Sequence, residues 1–258
     1  MNYNNSEHSK EYWLRLQSGI EASELYHGEW KKLIPYLEEI SYQNCMLILI
    51  WDISLHRYVY AADESGVLGY DTASYLAEDG INFAMSKMHP DFLEKSLLSQ
   101  QNAFEYVFQN NEKHQNKTIV YFEGKCKKNN GDYMHFLQES TCIEFNNNNK
   151  PLLFLNYIQD ITYLKKEKSL NLVITTPDEV KIWNFNFDKN CLDPVHPLSN
   201  QEKKILSYLA KGKTSKEIAK ELFISSHTID THRSNILEKT NCLNTTALIT
   251  YAKLIRII

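Results

Sequence analysis

Residues 197–258 read PLSNQEKKILSYLAKGKTSKEIAKELFISSHTIDTHRSNILEKTNCLNTTALITYAKLIRII, and start signals within that stretch predict a run of helices. Ser199 stands three residues before Glu202, and Thr214 three before Glu217. Each pair has the pattern of a capping box. The hydroxyl accepts from an orphan backbone N–H, and the glutamate reaches back to the N–H of the cap. Apolar residues follow at helical spacing: Ile205, Leu206 and Leu209 in the first helix, Ile218, Ala219 and Leu222 in the second. Gly212 falls where the first helix must stop. A third helix starts after Ser225, with Ile229, His232, Ile236 and Leu237 on one side. Asn244 opens a fourth, which carries Leu248, Tyr251, Ala252 and Ile255.

The second helix, the turn Phe223-Ile224-Ser225 and the third helix make a helix-turn-helix, a unit that places the N-terminal half of its second helix in a major groove. Leu198-Ser199-x-x-Glu202, Gly212-x-x-x-x-Glu217-Ile218-Ala219, Leu222-x-x-Ser225-x-x-Thr228-Ile229, His232, Ile236 and Lys239 fall at the spacing of the LuxR-type DNA-binding domain. This segment resembles that family. The resemblance implies double-stranded DNA, an operator or promoter, as the partner. The sequence departs from the family at Gln201, usually arginine, and at Asp230, usually lysine or another basic or polar residue. The second departure lies where the family meets base edges, so the operator preference is not carried over.

With Ile229, His232 and Ile236 turned inward, Asp230, Thr231 and Ser234 are expected on the opposite side, aimed at bases. Thr228 and Lys239 are expected at phosphates. Asp230 would be repelled by phosphates unless it accepts from a cytosine amino group or pairs with Arg233, the bland alternative being that it points to solvent. On the fourth helix, Ala247, Leu254 and Ile258 form a second apolar face that a lone domain would leave wet. That face is the expected dimer interface of a homodimer on DNA.

Charge is distributed unevenly along the chain. From His196 onward ten Lys/Arg face five Asp/Glu, a net +5, which leaves −9 for the rest of a chain whose total is −4. A basic tail on an acidic body fits a nucleic-acid module joined to something else. The longest apolar run, residues 45–51, is far too short to span a membrane, and the polar N-terminus has no signal-peptide core. Five cysteines, Cys45, Cys126, Cys142, Cys191 and Cys242, include no close pair, which argues against a disulfide framework and a zinc site. A cytoplasmic protein with no membrane partner is expected.

Upstream, residues 45–162 order two strands (46–52, 57–61), short helical pieces (71–77, 83–88), a longer helix (91–108) and three strands (118–127, 133–145, 152–159). Asn130-Gly131 is a tight hairpin turn. With Gly69-Tyr70, His89-Pro90-Asp91, Gly131-Asp132 and a closing Asp160-Ile161-Thr162, this order resembles a PAS domain. The expected fold is therefore α+β: a PAS-like five-stranded antiparallel sheet with helices, then an all-α four-helix LuxR-type domain. The divisions are a helical N-terminal extension (1–44), the PAS-like domain (45–162), a linker with a β-hairpin (163–196) and the helix-turn-helix domain (197–258). In the extension, Pro35 interrupts a helical pattern and implies two short helices or a kinked one. Residues 191–197, with Pro194 and Pro197, are expected to be a flexible joint.

PAS sheets curve around a small cavity, a natural ligand site. Tyr121, Phe136 and Phe154 are candidate lining residues, with core filling as the plainer reading. No cysteine between Val67 and Phe108 offers the reactive thiol of a light-sensing flavin domain. His89 as a haem ligand is outweighed by a structural turn, and the cofactor is left unknown. The expected function is a transcription regulator that senses a small ligand or a partner. The alternatives are a PAS-like half that only dimerises or binds protein, and a sigma-factor-like promoter-recognition protein. No nucleophile–base pair, metal spacing or phosphate loop is present, so an enzyme is not expected.

Overall fold

The computed structural model describes residues 28–114, 117–146, 150–195 and 198–258. The chain divides into two compact units, Met1–Asp160 and Ile161–Ile258. Residues 1–27 of the expected helical extension lie outside the described residues. The rest of that extension is a 3₁₀ turn (Glu29–Leu33) followed by helix α1 (Ile34–Asn44). Pro35 sits in the first turn of α1, where its missing N–H costs nothing, so it starts the helix.

In the first unit, β1 (Leu47–Asp52), β2 (Arg57–Ala62), β3 (Ile119–Lys127), β4 (Tyr133–Phe145) and β5 (Pro151–Asp160) form antiparallel neighbours in the order β2-β1-β5-β4-β3. Helices α2 (Ala73–Leu76), α3 (Gly80–Ser86) and α4 (Pro90–His114) lie between β2 and β3 in the chain. This is the PAS-like sheet-and-helix unit that the order of elements implies. Strand β1, LILIWD, is buried along its whole length. A strand covered on both faces reads as a continuous apolar run without alternation. Gly124 of β3 shows how closely a helix approaches the sheet. A Cβ there would lie 2.6 Å from the ring of Phe136 and 2.9 Å from Ser96 Oγ of α4. Asp63 folds the loop after β2, its carboxylate accepting from the N–H groups of Val67, Leu68 and Gly69.

In the second unit, β6 (Asn171–Thr175), β7 (Val180–Asn186) and β8 (Cys191–Val195) make an antiparallel meander. The residues expected to be a flexible joint are thus largely a strand. Pro194, opposite Trp183, is tolerated because β8 is an edge strand, where a missing donor faces no partner. Four helices follow: α5 (Asn200–Ala210), α6 (Ser215–Leu222), α7 (Ser226–Thr240) and α8 (Thr245–Leu254). Both capping boxes form. Ser199 N–H donates to Glu202 at 2.7 Å and Thr214 N–H donates to Glu217 at 2.8 Å, with the reciprocal bonds present. Ile205, Leu209, Ile218, Ala219 and Ile229 form the core that fixes the angle between α6 and α7. Among the described residues, no helix is long and apolar enough to cross a membrane.

Candidate nucleic-acid interface and buried cavity

Helix α7 is positioned from its start. Ser225, in extended backbone, caps it by accepting from Thr228 N–H at 3.0 Å. Phe223 turns the chain in the left-handed region at φ 55°. Ile229 and Ile236, both fully buried, anchor the inner face, and Asp230, Thr231 and Ser234 are exposed on the other. His227 joins them at helical spacing and is exposed, a position the sequence reading passed over. Thr228 is half-buried, and its hydroxyl is 2.8 Å from Ser225 Oγ at the cap.

Asp230 is held in a cluster. One carboxylate oxygen accepts from Ser215 Oγ at 2.7 Å and from Arg233 at 3.2 Å. Arg233 also donates to Ser215 Oγ at 2.7 Å and to Thr245 Oγ1 at 2.9 Å. The guanidinium therefore ties α7 to the first turns of α6 and α8. The Asp230–Arg233 pair anticipated from the sequence is present.

Lys239 is placed otherwise than expected for a phosphate contact. Its ammonium forms a forked pair with the Glu202 carboxylate at 2.8 and 3.0 Å, and Glu202 is only 3 % exposed. Burial pushes the Glu202 carboxyl up, but the bonds from Lys239 and Ser199 outweigh it and hold the group below its ordinary value. Lysines facing solvent beside α7 are instead Lys216 and Lys220, one turn apart on α6. In a helix-turn-helix the first helix crosses the phosphate backbone. Their i,i+4 spacing was available in the sequence.

The proposed dimer face is only partly open. Ala247 is 4 % exposed, buried in its own domain, which corrects its place on a wet face. Leu254 is half-buried and Ile258 is 37 % exposed. Leu243, just before α8, is 51 % exposed.

The first unit holds a partly open cavity of about 120 Å³. Its walls are mostly apolar, among them Leu47, Leu49, Leu68, Leu97, Phe122 and Phe136. Phe136 was expected there. Phe154 shares that sheet face but packs on Trp51 and Phe104, at ring separations of 6.3 and 4.8 Å, and does not reach the cavity. Tyr121 alternates to the opposite face, is fully buried, and does not line the cavity either. Polar groups enter the wall at Tyr75, Ser96, Gln138 and Asn156. Gln138 donates to Asn156 at 2.8 Å, and Asn156 donates to the carbonyls of Leu49 and Phe154. The hydroxyls of Tyr75 and Ser96, residues 2 % and 1 % exposed, find no hydrogen-bond partner among the described residues. Burial and the nearby Cys126 push the Tyr75 phenol far up, so it remains a donor. Burial, then Asp160, pushes the Cys126 thiol up to about 12, which makes it a poor nucleophile. His89 accepts from Asp91 N–H at 3.1 Å, capping the start of α4, and is not in the cavity wall.

Residues 196–252 match the model of the bacterial regulatory proteins of the luxR family. The C-terminal segment is a luxR-family helix-turn-helix domain. The chain is 47% identical over 57 residues to the fimbriae Z protein of Salmonella typhimurium, covering 22% of this chain and 27% of that one. It is 32% identical over 108 residues to the regulatory protein SdiA of Escherichia coli, covering 40% and 45%. The matches therefore span less than half the length of either relative. VqmA of Vibrio cholerae, solved with ligand and DNA, aligns over 85% of both chains at 15% identity, with a TM-score of 0.33. Such a superposition is loose, and the luxR-type assignment stands on sequence and helix geometry.

Proposed function

We propose that this chain is a cytoplasmic transcription regulator, and not an enzyme, that binds duplex DNA through α7 as a homodimer. In this reading the PAS-like unit takes a small uncharged molecule in its cavity. The observation that carries the DNA reading is the exposed polar face of α7, with His227, Asp230, Thr231 and Ser234 on the second helix of a luxR-type unit. Base reading falls to that face, while Lys216 and Lys220 supply phosphate contacts that position without specifying. Two such helices about 34 Å apart would meet successive major grooves of a palindrome. Leu254 and Ile258 remain the proposed dimer contacts, joined by Leu243.

The cavity supports sensing over mere dimerisation. Two buried hydroxyls without partners are costly unless something accepts from them, each at roughly 1–3 kcal/mol. The mostly apolar wall favours a neutral, ring-sized molecule with an acceptor atom.

Selection of duplexes from a random library by the full chain tests the reading. Recovery of a palindromic motif, with affinity falling steeply as salt rises, is expected. Lys216→Ala with Lys220→Ala, which removes four phosphate contacts from a homodimer, should then weaken all duplexes alike and reduce the salt slope by about 4. Failure to enrich any duplex would sink the DNA reading.

A further inference from the structure

Helix α7 ends in a buried polar cluster completed by residues outside the luxR-type segment. A helix leaves its last carbonyls without intrahelical partners. At the end of α7, Thr240 O accepts from the Lys165 ammonium and from Asn171 Nδ2 at 3.0 Å. Asn241, in the left-handed region at φ 53°, donates from its side chain back to Asn171 Oδ1 at 3.1 Å. Its carbonyl accepts from Lys166 N–H at 3.1 Å, and Leu243 N–H donates to Leu164 O at 3.0 Å. The Lys165 ammonium also sits 3.7 Å over the ring of Tyr251 on α8. Lys165, Asn171 and Thr240 are at most 3 % exposed.

A lysine buried this far from water must gain from its surroundings to stay there. Here it meets a carbonyl at the negative end of a helix dipole and an aromatic face. Asn171 works in both directions, donating to Thr240 and accepting from Asn241, so both ends of its amide are used. Nothing in this arrangement touches the exposed face of α7. Its effect is on where the helix points. Thr240 lies ten residues beyond Asp230, ~15 Å along the axis, so a tilt of about five degrees at the clamped end moves the reading end by ~1 Å. Hydrogen bonds to base edges tolerate little of that.

We propose that Lys165 and Asn171 are positioning residues for base reading: they fix the pose of α7 from its C-terminal end without contacting DNA. The proposal rests on α7 being the DNA-contacting helix. It also places the clamp a few residues along the chain from β5, whose Asn156 and Ile158 line the cavity.

The test uses the full chain, a duplex that wild type recovers from a random library, and an unselected duplex of equal length and base composition. The readout is the ratio of the two dissociation constants. Lys165→Met, and Asn171→Asp, which removes the donor to Thr240 and sets a carboxylate against that carbonyl, should each lower the ratio at least tenfold. Most of the loss should fall on the selected duplex. Lys165→Arg, still able to donate to Thr240 and to stack on Tyr251, should stay within about threefold of wild type. A role confined to stability would reduce the active fraction and weaken both duplexes equally. An unchanged ratio in the variants therefore overturns the proposal. Should Lys165→Met not fold, the nearly isosteric Asn171→Asp decides alone. If wild type enriches no duplex, the DNA reading fails and takes the proposal with it.

Discussion

The two ends of α7 are held by polar clusters of opposite character. At the N-terminal half, Asp230, Arg233, Ser215 and Thr245 form a cluster at the surface, with the Asp230 and Arg233 side chains 57% and 33% exposed. At the C-terminal end, Lys165, Asn171 and Thr240, at most 3 % exposed, form one with the half-buried Asn241. Exposed ion pairs compete with solvent and are worth little, whereas a buried polar network is costly when one member is lost. Changes in the exposed cluster should cost little stability, and changes in the buried one more. That division suits a helix whose front varies with the sequence it reads and whose back must stay put.

The largest expected effect comes from emptying the buried cluster. Asn171→Leu takes one of two side-chain donors from the buried Thr240 carbonyl and the acceptor from the Asn241 amide, and should cost about 2–4 kcal/mol. Thermal unfolding of the full chain measures it, and a loss under 1 kcal/mol would erase the contrast. Next comes Glu202→Gln, which leaves the Lys239 ammonium facing an amide and should cost about 1–3 kcal/mol. Because the folded Glu202 carboxyl is held below its ordinary 4.5, its contribution is present above pH 4.5 and disappears as pH falls through the depressed folded value. Stability of wild type and variant should converge in that acid range, as urea titrations at several pH values would show.

Smaller still is the effect of Asp230→Asn on folding, expected below 1 kcal/mol. Its signature is on specificity: a relaxed preference at one base pair, worth ~1–3 kcal/mol of discrimination, in a selection against substituted duplexes. Equal tightening to every duplex would instead mark Asp230 as a charge penalty that reads nothing. Least disturbing to the empty protein is Tyr75→Phe. Its hydroxyl has no partner among the described residues to lose, so ligand-free stability should change by under about 1 kcal/mol or rise slightly. A ligand that accepts from Tyr75 would nonetheless bind the variant more weakly, by calorimetry.

What the sequence made legible follows the same division between near and far. Ser199 with Glu202, Thr214 with Glu217, and the turn at Phe223 are local patterns, three or four residues long, and each formed as read. The order of strands and helices along the PAS-like unit was also legible, whereas the order of its strands within the sheet was not read from it. Pairings across the fold were not legible. Lys239 reaches Glu202 over 37 positions and Asn171 reaches Thr240 over 69, and no periodicity marks either. Strand alternation did carry the information that Tyr121 and Phe122 face opposite ways. What it lacks is which face holds the cavity, and that depends on where α4 lands. Ala247 was misplaced because an alanine on a helix reads alike whether its neighbours are water or the core of its own domain.

The meeting of residues 164–171 with the end of α7 also bears on how such a gene can be recombined. Shuffling that cuts at the edge of the luxR-type segment, near residue 196, separates the reading helix from the lysine and asparagine that finish it. A donor domain spliced in there would arrive with an unfinished C-terminus, or with a clamp that belongs to another helix. The workable seam lies about 35 residues earlier, after Asp160, where the two compact units divide. Exchange of sensors between regulators of this build should therefore succeed when the meander and the clamp travel with the helices as one cassette.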